Sequence, residues 1–87
     1  MPNATKIEGT VGEWYHAPNG EYVGTIIGDD GGVYIANSKN CHDQSTVGQI
    51  TKGSRVRITP DPRGSGKDVD TKDEYSWGVA RNITPIP

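Results

Sequence analysis

Between Lys6 and Ala36 three short runs rich in β-formers alternate with two clusters of turn residues. KIEGTVGEWY is followed by HAPNG, EYVGTII by GDDGG, and VYIA closes the stretch. Asn19-Gly20 and Gly28-Asp29-Asp30-Gly31-Gly32 supply residues that tolerate positive φ, as tight hairpin connections require. The pattern predicts an antiparallel three-stranded meander that the rest of the chain closes into a barrel. Disorder is the competing outcome, because only 31% of the residues are hydrophobic and Phe is absent. Clustered β-branched residues and a net charge of only −2 argue against it. Twelve Gly and six Pro fit turn-rich all-β structure better than helices. Eighty-seven residues make one small domain, burying roughly 60–65% of its unfolded surface.

Taken in order, residues 1–5 are expected to fray and the barrel to span 6–83. Ile7 and Val11 face inward, with Lys6, Glu8 and Thr10 outward. Continuing that alternation would bury Glu13, so a bulge near Gly12 is expected, followed by Trp14 and Tyr15 beside the turn at 16–20. The second strand, 22–27, places Tyr22, Gly24 and Ile26 on one face and Val23, Thr25 and Ile27 on the other. In the third, Val33 and Ile35 are expected inside, Tyr34 and Ala36 outside. Residues 37–49 read as a loop with room for one helical turn. Strand four, 54–59, points Val56 and Ile58 inward and Arg55 and Arg57 outward, and Pro60 and Pro62 stop it. Residues 60–76 read as a long loop, 77–83 as strand five and 84–87 as a tail. The expected fold is an all-β, five-stranded Greek-key barrel of the oligonucleotide/oligosaccharide-binding (OB) type.

These residues resemble the cold-shock domain family. Gly9-Thr10-Val11 with Trp14-Tyr15 is similar to the family's opening strand, with one extra residue intervening. Val23-Gly24-Thr25-Ile26 stands where its first ribonucleoprotein motif lies, and Asp30-Gly31-Gly32-Val33-Tyr34-Ile35 where the second lies. Lys52-Gly53-Ser54-Arg55-Val56, Pro62-Arg63-Gly64 and Ala80-Arg81-Asn82-Ile83 resemble the start of strand four and the closing segment. The resemblance implies a barrel that holds single-stranded RNA or DNA on surface aromatics. Trp14 matches a base-stacking aromatic, Tyr34 the outward aromatic of the second motif, and Tyr15 the second member of the aromatic pair. Val23 and Thr25 stand where the family has two outward aromatics, and Ala36 and Asn37 where it has a histidine and a further aromatic.

Parity points Trp14 and Tyr34 outward as stacking rings, each worth about 1–3 kcal/mol per base. Tyr15 and Tyr22 read first as core, with Tyr22 joining the site if strand two is shifted in register. Arg55, Arg57 and Arg63 are the candidate phosphate contacts. The rival reading is a protein-interaction module on the same barrel, such as an accessory or inhibitory factor of a nucleic-acid enzyme. A basic aromatic face would favour nucleic acid; an apolar or acidic one would favour a protein. Cys41-His42-Asp43 are consecutive and lack metal-ligand spacing, so no metal or other cofactor is expected. No nucleophile elbow, phosphate loop or acid/base constellation suggests an enzyme. A single cysteine, no apolar run of ~20 residues and no leader-like core lead to the expectation of a cytoplasmic protein off the membrane.

Overall fold

The computed structural model describes residues 5–87, which form a closed five-stranded β-barrel. The strands are β1 (Ile7–His16), β2 (Tyr22–Gly28), β3 (Val33–Asn37), β4 (Arg55–Lys67) and β5 (Glu74–Pro85), in the order β1-β2-β3-β5-β4. Every pairing is antiparallel except β3 with β5. Two 3₁₀ segments, Ser38–Asn40 and Gln44–Gln49, lie between β3 and β4. Among the described residues no helix is long and apolar enough to cross a membrane. Residues 1–4 of the expected frayed segment lie outside the described residues.

The meander forms as its turn chemistry predicts. Gly20 and Gly31 take φ of 89° and 86°, values that a side chain would strain. Asp30 accepts the Gly32 N–H at 2.9 Å, tightening the second turn. The anticipated bulge falls at Gly12: Val11 pairs with Ile26, and Glu13 already pairs with Thr25. This extra residue resets the alternation so that Glu13 escapes the core. β1 and β2 approach most closely at Gly24, where a Cβ would run into the Glu13 carbonyl. A second irregularity bends β5, where Asn82 takes a φ of 50° and donates through Nδ2 to Thr59 Oγ1 at 3.2 Å.

The core consists of Val11, Ile26, Tyr34, Ala36, Cys41, Ile50, Val56, Ile58, Ala80 and Ile83. Strand four therefore points as expected, with Val56 and Ile58 inward. Ile50, with Val47 packed against the core, brings the 3₁₀ region onto the barrel. At roughly 1.5–3 kcal/mol per buried large aliphatic side chain, so few of them give a shallow reserve against chain entropy.

Three expectations are corrected. First, β3 points the other way: Tyr34 and Ala36 are buried, while Ile35 is 52% exposed. The Gly28–Gly32 turn sets Tyr34 opposite Ile26, which Val11 already holds inside, so Tyr34 must follow. Its hydroxyl remains satisfied by donating to Asp30 Oδ2 at 2.7 Å. Second, residues 60–76 are not a long loop. β4 runs on through Pro60 and Pro62 to Lys67, pairing with β5 as a ribbon. Pairing of β4 with β1 ends at Ile58. Among the described residues β5 is the one strand that pairs with β4 beyond it, so two prolines spaced i, i+2 are tolerated with their N–H-less nitrogens on the side away from β5. Third, the expected tail is partly strand. Thr84 and Pro85 pair with Arg57 and Val56, and the Ile86 N–H donates to the Arg55 carbonyl.

Candidate interaction face

Because side chains alternate along each strand, residues paired laterally share a face. Arg55, Thr10, Ile27, Val33, Trp77 and Gly64 are successive lateral partners on the outside of the barrel. The next row runs through Glu13, Thr25, Ile35, Val79 and Asp61, and the last through Tyr15, Val23 and Asn37. The outer surface of β1-β2-β3-β5 is thus apolar and aromatic in its middle. Tyr15 is 60% exposed, Ile27 46% and Trp77 36%.

This face sits where a stacking surface was expected, but its members differ. Trp14 does not face outward. Beyond the Gly12 bulge it pairs with Gly24 on the inner side and packs against the core, stacked on Tyr22 at 5.8 Å and 7°. Its indole N–H is buried with no acceptor among the described residues. Tyr22 lies on the same inner side and meets His16 at 4.8 Å. Tyr34 is buried and offers no ring face to a ligand. Tyr15, read as core, is the open ring of β1, its hydroxyl donating to Glu13 at 2.9 Å. Trp77, at the head of the expected fifth strand, lies at the rim of the face. Sequence reasoning missed Ile27, Ile35 and Tyr75; the β2–β3 register across the five-residue turn was the signal for the two isoleucines.

The candidate phosphate contacts are engaged elsewhere. Arg55 grips Asp29 with both terminal nitrogens, Nη1 to Oδ1 at 2.9 Å and Nη2 to Oδ2 at 2.6 Å, and also donates to Thr10 and Glu8. Arg57 lies 3.4 Å from Glu8. Arg63 and Arg81 both donate to Asp61, at 2.9 and 3.1 Å. All four arginines are therefore paired with carboxylates, and Lys52 sits 4.0 Å from Glu13. Around the apolar face the arginines are compensated rather than displayed.

These pairings leave a readable trace. Hydrogen bonds from Arg55 hold the Asp29 carboxyl below the usual carboxylate range, outweighing the opposing desolvation. A carboxyl held low stabilises the fold above its unfolded pKa and loses that contribution as pH falls through its folded pKa. In Arg55→Gln, Asp29 is expected to titrate near its ordinary value and that acid-limb contribution to vanish. Carbonyl-detected NMR titration reads both, and an Asp29 midpoint unmoved by the substitution would mean that the pair does not form in solution.

Among the described residues, hollows flank the barrel on two sides. One, about 550 Å³, lies between Lys39–His42 and the Thr59–Pro62 and Arg81–Asn82 segments, but its arginine is committed to Asp61. The other, about 620 Å³, opens beside the apolar face, between Val33, Tyr75 and the ribbon turn. No group of acidic, histidine or cysteine side chains suited to a metal ion occurs among the described residues. Comparison of the chain with protein-family models, with curated proteins and with solved structures gave no match.

Proposed function

We propose that this barrel is a protein-binding module that docks its partner on the outer face of β1-β2-β3-β5. One observation carries the reading: Tyr15, Ile27, Ile35 and Trp77 are exposed together on a face whose surrounding arginines are all occupied by carboxylates. Apolar and aromatic residues with few charges are what the buried centre of a protein interface requires, with polar pairs left at the rim. Single-stranded nucleic acid also uses stacking rings, but its affinity draws on cations free to neutralise phosphates. Recruiting Arg55 or Arg63 to a phosphate would first break an existing ion pair.

The nucleic-acid reading has one observation in its favour, namely that Tyr15, Tyr75 and Trp77 share the outer side. Titration of the protein with octauridylate, followed by tryptophan fluorescence at low and moderate salt, separates the two. No saturable quenching is expected up to tens of micromolar oligonucleotide. Saturable quenching that Tyr15→Ala or Trp77→Ala weakens by about 1–3 kcal/mol would transfer the face to single strands.

A further inference from the structure

The ribbon carries features that a generic apolar face does not require. Tyr75 and Trp77, two residues apart on β5, share its outer side and lie across glycines of β4. A Cβ on Gly66 would come within 2.7 Å of the Tyr75 ring, and one on Gly64 within 3.0 Å of the Trp77 indole nitrogen. The glycines thus form a floor on which both rings rest: a side chain at Gly66 would displace the Tyr75 ring, and one at Gly64 would crowd the Trp77 indole. Val33, lateral partner of Trp77, continues this floor onto the barrel. It lines the hollow of about 620 Å³ together with Tyr75, Lys67, Asp68, Asp73 and Glu74.

The rim of that hollow is acidic. Residues 67–74 hold four carboxylates against two lysines, a local excess of two negative charges. Asp68 is consumed by the turn, accepting the N–H groups of Asp70 and Thr71 at 2.8 and 2.9 Å. The carboxylates of Asp73 and Glu74 make no hydrogen bond or ion pair among the described residues, although Lys67 lies laterally opposite Glu74 on β4. Aromatic faces attract cations through their quadrupole, and unpaired carboxylates beside them add directional acceptors. Both contributions select the same ligand charge.

We propose that the partner docked on the outer face inserts a lysine or arginine side chain into this hollow, over Tyr75 and against its acidic rim. The inference rests on the protein-binding reading and adds the chemistry of the docking segment. Apolar residues flanking that cation would continue onto Trp77 and Ile35. A purely apolar or acidic segment would leave the two carboxylates desolvated without compensation.

Three blocked nonapeptides test it, identical except for arginine, glutamate or norleucine at the centre between leucines. Binding is followed through the backbone amide shifts of Val33, Ile35, Tyr75 and Trp77. The arginine peptide is expected to move all four at low salt. The other two should bind about tenfold more weakly, as should the arginine peptide to Asp73→Asn/Glu74→Gln. Both substituted positions are exposed, so the variant's unchanged spectrum serves as its folding control. Equal binding of the glutamate or norleucine peptide would overturn the inference while leaving the face a protein-binding surface. Octauridylate moving the same amides where no peptide does would overturn both readings, and no shift with any peptide overturns the inference.

Discussion

Ile26→Ala is expected to lower the unfolding free energy by about 2–5 kcal/mol, the range for removing a buried aliphatic side chain without full collapse of the cavity. Ile26 is fully buried at the middle of the meander, with Val11 beside it on β1 and Tyr34 on β3. Gly24 and Ala36, the next pair along the inner face, are too small to fill the space. A domain of this size holds roughly 0.05–0.15 kcal/mol of stability per residue, so the loss would be a large share of the total. Urea denaturation measures it, with Ile35→Ala as the control. Ile35 lies on the opposite side of the sheet, and its truncation should stay within about 0.5 kcal/mol. Comparable losses in the two variants would mean that β3 does not have the parity described.

A second large effect is expected at alkaline pH. The Tyr34 hydroxyl is pushed up to about 12, first by burial and then by its hydrogen bond to Asp30 and the charge of that carboxylate. An unfolded tyrosine ionises near 10. Between these values the folded chain keeps a proton that the unfolded chain has released. Stability is therefore unaffected below pH 10 and falls as pH rises toward 12, by on the order of 2 kcal/mol in total. Tyr34→Phe removes this dependence. At neutral pH the variant should lose about 0.5–1.5 kcal/mol for the missing Tyr34–Asp30 bond. The gap should close or invert at the alkaline end. Chemical denaturation at several pH values reads the difference, and parallel curves for the two proteins would assign the alkaline loss to other groups.

Where a single residue forces the backbone, the fold was legible. Glu13 could not be buried, so a bulge had to lie just before it, and Gly12 was the residue able to supply it. Val56 and Ile58 between arginines left strand four one orientation. Strand three lacked such a forcing residue. Val33 and Ile35 look more core-like than Tyr34 and Ala36, yet the turn register to Ile26 decides, and register is a pairwise property that composition cannot express. The same reversal emptied the expected stacking site of Tyr34. The bulge that rescued Glu13 also carried Trp14 inside. What the sequence could indicate was the location of the face. Its members depended on parity at two positions, and, apart from Asp61 beside Arg63, the carboxylates that occupy its arginines come from distant turns and strands.

Treating proline as a stop hides the ribbon. Proline interrupts a strand only where both sides must pair. On β4 past Ile58 the consequence runs further than local structure. A lone two-stranded hairpin usually presents two margins at which a foreign strand can be added. Here the β4 margin offers ring carbons at positions 60 and 62, where an incoming chain would seek hydrogen-bond donors. A second molecule trying to extend the ladder from that side would leave its own carbonyls unanswered. The base of the hairpin, at positions 60–62, is thus a poor template for filament growth.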